Sequence, residues 1–312
     1  MIDVDNVILG IEGGGTKTTW ALVAAEDERV LARGKTSQGN LQVMGDEELE
    51  RLLEGIVCGV EGVVSVNRVR GIGAAFAGCH LERERERLRG ALKRKFPDAE
   101  RIVVGEDTHS ALAGAYGDGD GICVIAGTGS NTFGRRGPYF AKAGGWGHLF
   151  ADLGSAYDTA RRGLQAVYEH YDMTRAVSEL GRRFLVETGQ RDLADLVPWM
   201  LEHSSKTEVA GLARCVLAAA AEGEPMALVV LKDGAHALGK RVWAVARRLG
   251  LTEPKVGLIG GMFEHNPMYV EMFKEEVLKL LPQVDRIFVC ETPGEIGAVR
   301  MLSSHIPLEM NA

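Results

Sequence analysis

The chain has 312 residues, 46% hydrophobic and 25% charged, the profile of an ordinary soluble globular protein with length enough for two domains. A net charge of -7 argues against non-specific nucleic-acid binding, and no charge-free apolar run is long enough to span a bilayer. The N-terminus lacks the basic stretch and apolar core of a signal peptide, and Cys58, Cys79, Cys123, Cys215 and Cys290 form no C-x-x-C pair, so reduced thiols in a cytoplasmic protein are expected.

In chain order, residues 7–11 read as a buried strand, 18–23 as a second and 30–34 as a third. Residues 46–62 read as a helix, 71–77 as a buried strand ending at Gly78, and 82–96 as a helix with Leu88, Leu92 and Phe96 on one stripe. On that helix Glu82/Arg85, Glu84/Arg87 and Glu86/Arg89 are spaced as surface ion pairs of a solvated face. A strand over 101–104 delivers Glu106-Asp107-Thr108 to its C-terminal end, where ligands sit in open α/β sheets. The Gly117–Gly121 run reads as a turn and domain boundary, after which the pattern restarts with strands at 121–126, 132–134 and 139–142. Residues 155–250 are mostly helical, with Ser155 capping a helix whose stripe is Tyr157, Ala160, Leu164 and Tyr171. Late strands at 256–259 and 286–289 precede a closing helix. Strands alternating with helices make the class α/β, in two similar halves.

Three glycine-rich segments punctuate this order. The first, Glu12-Gly13-Gly14-Gly15-Thr16-Lys17-Thr18, runs from strand to strand. A dinucleotide or P-loop fingerprint needs a helix after the turn, so both are excluded. The three glycines clear side chains from the backbone, and Thr16 and Thr18 offer hydroxyl donors to an anion. The second segment, Gly127-Thr128-Gly129-Ser130-Asn131, repeats the strand–turn–strand order and suggests a duplicated fold gripping one phosphate from two sides. The third, Gly257-Leu258-Ile259-Gly260-Gly261, ends a strand in two glycines that let a base or ribose approach the backbone.

In this order the three segments resemble the phosphate-1, phosphate-2 and adenosine motifs of the actin/hexokinase/Hsp70 superfamily. More narrowly, the chain resembles the N-acetylglucosamine kinase and BadF/BadG/BcrA/BcrD ATPase family. That resemblance also rests on Gly105-Glu106-Asp107, Gly144-Gly145-Trp146-Gly147-His148 and Asp152-Leu153-Gly154-Ser155. It implies duplicated ribonuclease H-like (actin-like ATPase) domains flanking a nucleotide/sugar cleft. The domains would span 1–117 and 118–293, the second with a helical insertion, and a closing helix over 294–310 would pack back on the first.

The resemblance further implies an ATP-dependent kinase phosphorylating a hexosamine, N-acetylglucosamine at its 6-hydroxyl first, as a homodimer. Asp107 would be the general base and also contact the sugar. Gly13, Gly14, Gly15, Thr16, Lys17, Thr18, Gly127, Thr128, Gly129, Gly260 and Gly261 would bind ATP, and Glu12 would hold Mg²⁺ through water. Asn40, Thr128, Asn131, Gly145, Trp146 and Asp152 would contact the sugar, with His148 orienting their loop. Leu153 stands where the family usually has glutamate, which leaves glucosamine, N-acetylmuramic acid, N-acetylmannosamine and glucose open as acceptors. Two other roles also stay open: an ATPase driving an iron–sulfur reductase, for which the scattered cysteines are poorly placed, and a non-catalytic sensor.

Overall fold

The computed structural model describes residues 6–15 and 17–304. Thr16 therefore lies outside the described residues, as do the last residues expected in the closing helix. The chain divides into two compact units. The first comprises Met1–Asp120, Gly137–Tyr139 and Cys290–Ala312, and the second Gly121–Arg136 and Phe140–Val289.

The first unit begins with β1 (Val7–Gly13), β2 (Thr18–Ala24) and β3 (Val30–Thr36), followed by α1 (Asp46–Glu61) and β4 (Val69–Phe76). Then come α2 (Glu82–Lys95), β5 (Arg101–Gly105) and α3 (Asp107–Tyr116). The sheet order is β3-β2-β1-β4-β5. β2 runs antiparallel to β1 and β3, whereas β4 is parallel to β1 and β5.

The second unit opens with β6 (Gly121–Ala126), β7 (Ser130–Arg136) and β8 (Tyr139–Gly144). Six helices follow: α4 (Ala156–Thr174), α5 (Glu179–Thr188), α6 (Leu193–Glu202), α7 (Lys206–Gly211), α8 (Ala213–Ala221) and α9 (Pro225–Leu249). The unit ends with β9 (Lys255–Ile259), α10 (Gly261–Glu264), α11 (Pro267–Leu280) and β10 (Arg286–Val289). Its sheet order, β10-β9-β6-β7-β8, is the first sheet's order with each strand replaced by its counterpart five later. The directions match as well: β6 and β7 are antiparallel, and β6, β9 and β10 run parallel. The duplication expected from the two glycine turns is thus present in the sheets themselves.

Each sheet buries its own core. In the first unit Leu9, Ile11, Ile72 and Val104 of the strands pack with Leu52, Ile56, Leu88 and Leu92 of α1 and α2. The apolar positions of α1 (Leu49, Leu52, Leu53, Ile56 and Val60) recur at helical spacing, so one face turns inward. In the second unit Ile122, Val124, Val256 and Leu258 pack with residues of α4, α5, α8, α9 and α11. Among the described residues no helix is long and apolar enough to cross a membrane.

The last helix, α12 (Gly294–Arg300), belongs to the first unit. Three glycines bring it into backbone contact with its neighbours. A Cβ on Gly10 would overlap the Glu295 carbonyl, one on Gly73 the Ala298 carbonyl, and one on Gly297 the Ser110 carbonyl.

The charged face of α2 departs from expectation. Glu82–Arg85 (2.7 Å) and Glu86–Arg89 pair along the helix, but Glu84 pairs with Arg83 (2.6 Å) and Arg87 reaches Asp46 of α1 (2.5 Å). Arg85 is buried and also donates to the His80 carbonyl at 3.2 Å. Arg94 and Lys95 meet Glu50 of α1 at 2.7 and 3.2 Å, so this face joins two helices as well as meeting solvent.

Candidate active site

In the first unit the expected site residues converge on one edge of the sheet. Gly13 is the last residue of β1 and pairs with Phe76 at the end of the parallel strand β4. Ala75 of β4 pairs with Gly105, the end of β5. Carboxyl ends of parallel strands are the usual ligand edge of such sheets. Asp107 follows β5 after the single residue Glu106, as the first residue of α3, a helix the strand pattern alone does not announce. It is half-buried, and its Oδ1 accepts from the Thr108 N–H at 2.9 Å. An acidic side chain suits this position because a helix N-terminus carries partial positive charge.

Behind Asp107, Glu106 is buried and its carboxylate meets His80 Nδ1 at 2.9 Å. The Glu106 N–H donates to His109 Nδ1 at 3.0 Å. This His80–Glu106–His109 support is not legible from spacing, because His80 arrives from the loop after β4.

Asn40 joins the same edge. It forms a parallel bridge with Ala77, beyond the end of β4, and its Oδ1 accepts from the Gln42 N–H at 3.1 Å. The Gly39 N–H donates to Gly14 O at 2.9 Å and the Ala77 N–H to Gly13 O at 2.7 Å, which ties the first glycine turn to the Asn40 loop.

The glycines of that turn do different work. Gly13 is confined by Phe76 and Gly39, so protein packing excludes a side chain there. A Cβ on Gly15 would meet nothing within 4 Å, and Lys17 is exposed, so this part of the turn is open to an anion. Thr18 departs from expectation: it is fully buried and its hydroxyl lies against Gly39, turned away from solvent. Glu12 is half-buried, its carboxylate packed against Gly294 at the start of α12.

In the second unit the sites again share a sheet edge. Ala126 and Ser130 close the hairpin, with the Gly127 N–H donating to Gly129 O at 2.9 Å. Gly127 faces open space, and Thr128 is half-buried. Gly260 (φ 101°) is pressed against Ala126 and Gly127, where a Cβ would lie 2.6 Å from the Ala126 carbonyl oxygen. The third glycine segment therefore abuts the second, with Gly261 opening the single-turn helix α10.

Asp152 is only 4% exposed, and a Cβ on Gly129 would lie 2.6 Å from its Oδ2. A Cβ on Gly145 (φ 71°) would lie 2.9 Å from Asn131 Oδ1, which has no hydrogen-bond partner among the described residues. Trp146, by contrast, is 79% exposed, so it is not a buried structural tryptophan. His148 packs edge-on against Tyr157 with ring centroids 4.9 Å apart.

Two cations here escaped the sequence. Lys206, the first residue of α7, holds Asp152 Oδ2 at 2.8 Å. Arg241 of α9 donates to Ser130 Oγ at 2.9 Å and to the Ala151 carbonyl. Burial lowers the pKa of Arg241, against the opposing pull of Asp152 and Asp158. Both come from the helical insertion, far along the chain from their partners, where no motif spacing reaches.

The donor set decides what these edges accommodate. Gly15 and Gly127 leave backbone accessible to phosphate oxygens. Among the described residues no three His, Cys, Asp or Glu side chains are grouped to hold a metal ion. That set fits a Mg²⁺ held by substrate phosphates and waters with help from one carboxylate, the usual manner for this ion, and does not provide a protein cage.

A protein-family model described as the BadF/BadG/BcrA/BcrD ATPase family matches residues 9–301. An N-acetylmuramic acid/N-acetylglucosamine kinase of Clostridium acetobutylicum is 28% identical over 94% of this chain and 96% of its own. An N-acetyl-D-glucosamine kinase of Dictyostelium discoideum is 24% identical over 96% and 98%. A crystal structure of a Chromobacterium violaceum protein, assigned there as an N-acetylglucosamine kinase, superposes with a TM-score of 0.75 at 24% identity. It covers 95% of this chain and 99% of that one. The fold is the actin-like one of the sugar kinases.

Proposed function

This chain belongs to the BadF/BadG/BcrA/BcrD ATPase family, and from that premise we propose that it is an ATP-dependent sugar kinase acting on an N-acetylated hexosamine. N-acetylglucosamine is the first acceptor and its 6-hydroxyl the nucleophile. The observation that carries this reading is the placement of Asp107: it opens α3 at the same carboxyl edge of the sheet that bears the Gly13–Lys17 turn and Asn40. The names of the Clostridium and Dictyostelium relatives support the acceptor class.

In the proposed reaction Asp107 accepts the proton of the sugar hydroxyl as its oxygen forms a bond to the γ-phosphorus. The bond from that phosphorus to the β-phosphate oxygen breaks, and ADP leaves. A positioned general base contributes roughly 10²–10⁴-fold, the rest coming from orientation and charge stabilisation. The Gly14 and Gly127 N–H groups hold their own turns, donating to the Lys17 and Gly129 carbonyls at 2.9 Å each. The N–H groups of Gly15 and Gly129, with Lys17, therefore bind phosphate oxygens in turns whose glycines let the phosphate approach, while Gly260 and Gly261 give the adenosine room. Glu12 would hold Mg²⁺ through water, and the ion would supply charge neutralisation on the phosphates. Asn40, Thr128, Asn131, Gly145 and Asp152 bind sugar hydroxyls, and Trp146 covers the acetamido group. We also take the protein to be a cytoplasmic homodimer.

A coupled ADP-release assay over N-acetylglucosamine, glucosamine, N-acetylmuramic acid, N-acetylmannosamine and glucose tests the assignment. Turnover greatest with an N-acetylated sugar is expected. ATP hydrolysis indifferent to every sugar would refute it. Anaerobic purification to a colourless protein is expected too, since a bound iron–sulfur cluster would favour the reductase-activating role. Burial raises the Cys79 and Cys215 thiols to about 12 and 11, which keeps both protonated and ill-suited as ligands.

A further inference from the structure

The general base proposed above stands beside a second carboxylate that the reaction does not use. Glu106, one residue before Asp107, is 3% exposed and enters α3 in an extended conformation. Its backbone locks the first turn of the helix: the Glu106 N–H donates to His109 Nδ1 at 3.0 Å, and its carbonyl accepts from the His109 N–H at 3.0 Å. Within the same turn the Asp107 carbonyl accepts from Ser110 Oγ at 2.9 Å. Whatever moves Glu106 therefore moves Asp107.

The Glu106 carboxylate reaches the loop after β4, where its Oε2 lies 2.9 Å from His80 Nδ1. That imidazole is 37% exposed and opens onto a cavity lined also by Gln42, Leu81 and Arg87, so it exchanges protons with solvent while its partner stays buried. Arg85, itself buried, donates to the His80 carbonyl at 3.2 Å and fixes the loop from α2. Gly78 of the same loop (φ 79°) packs against Asn40, where a Cβ would lie 2.5 Å from Oδ1. One loop therefore supports both the base and an acceptor contact.

A carboxylate removed from water needs a counter-charge, and the need is sharper where the next residue is a carboxylate that must stay ionised. An uncompensated Glu106 would repel the charge on Asp107 and favour the protonated acid, which accepts no proton from a hydroxyl. We propose that Glu106 and His80 are a positioning pair for Asp107. Protonated His80 neutralises Glu106, and the pair pins the start of α3, so that Asp107 keeps both its charge and its aim. This rests on the kinase reading and on Asp107 as its base. In this role neither side chain touches substrate, so the effect falls on kcat and not on binding.

The test compares kcat, the KM values for N-acetylglucosamine and ATP, and melting temperatures in the wild type, His80→Gln, Glu106→Gln and the double variant. His80→Gln leaves the buried carboxylate without its cation. It should lower kcat by about 10- to 100-fold, with both KM values within about twofold of the wild type. Glu106→Gln keeps the shape, removes the charge and should lose less than about tenfold. Adding Glu106→Gln to His80→Gln should then restore kcat to the level of Glu106→Gln alone, because no charge remains to neutralise. A merely structural pair would show no such rescue. Losses that multiply in the double variant overturn the proposal. So does a His80→Gln enzyme that keeps wild-type kcat, or whose loss is confined to KM or to the melting temperature. Should His80→Gln not fold, the double variant decides alone: folding with the Glu106→Gln rate supports the pair, and failing to fold overturns it. All these outcomes presuppose wild-type turnover. A folded wild type that binds ATP and phosphorylates no sugar defeats the kinase reading and this proposal together.

Discussion

Trp146 separates binding from stability more cleanly than any other residue of the proposed site. At 79% exposure it contributes little to the folded core, so Trp146→Ala should leave the melting temperature unchanged. If it covers the acetamido group, the same change should raise KM for N-acetylglucosamine by about tenfold with kcat nearly preserved. An unchanged KM would remove Trp146 from the sugar site. The glycines divide in a comparable way. Gly15 and Gly127 face open space and suit a ligand, whereas Gly13 and Gly129 are required by protein neighbours. Sequence presents all four alike, because a glycine's reason lies in what its missing Cβ would strike. The same holds for Thr18, whose hydroxyl reads as an anion donor in the motif and is buried under Gly39 in the fold.

At the scale of elements, strands and amphipathic helices were legible from periodicity, and α1 and α2 end within a residue of expectation. α3 was not, because its opening Asp-Thr-His-Ser carries no apolar stripe. Its start fixes the place of Asp107 all the same. The seating of α12 depends on contacts that span the chain. Gly73→Ala should therefore destabilise the protein by about 2 kcal/mol or more, since the new methyl must displace the backbone of α12 rather than a flexible side chain. Chemical denaturation checks this, and a neutral result would mean α12 shifts freely.

Between α9 and α11, Glu276 accepts from Lys279 at 2.6 Å and meets His236 at 2.9 Å. The Lys279 hydrogen bond, then that of His236, lowers its pKa against the cost of burial. A lowered folded pKa gives stability that is present at neutral pH and disappears as pH falls through that depressed value. Glu276→Gln should cost about 1 kcal/mol near pH 7, the partners being largely solvent-screened. Its difference from the wild type should vanish below the usual carboxylate range, as followed by denaturation against pH. A difference independent of pH would show that packing, not charge, is responsible.

For the whole molecule, the paired glycine turns were the visible trace of a duplication that the matching orders of the two sheets make explicit. What stayed hidden was chemistry brought in by the helical insertion: Lys206 and Arg241 reach the second sheet's edge from segments with no motif. Motifs point to nucleotide chemistry more directly than to the acceptor, because a phosphate is met by contiguous backbone and a sugar by scattered side chains. The central claim is that Asp107 turns a phosphate grip into transfer to a sugar hydroxyl. Its most direct test follows the phosphorus itself, by ³¹P NMR of ATP with N-acetylglucosamine in the presence of the wild type or Asp107→Asn. The wild type should produce a sugar 6-phosphate and ADP in equal amounts. The variant should still bind ATP and produce neither at more than about a hundredth of that rate. Sugar phosphate formed by Asp107→Asn at the wild-type rate, or inorganic phosphate as the wild-type product, would contradict it.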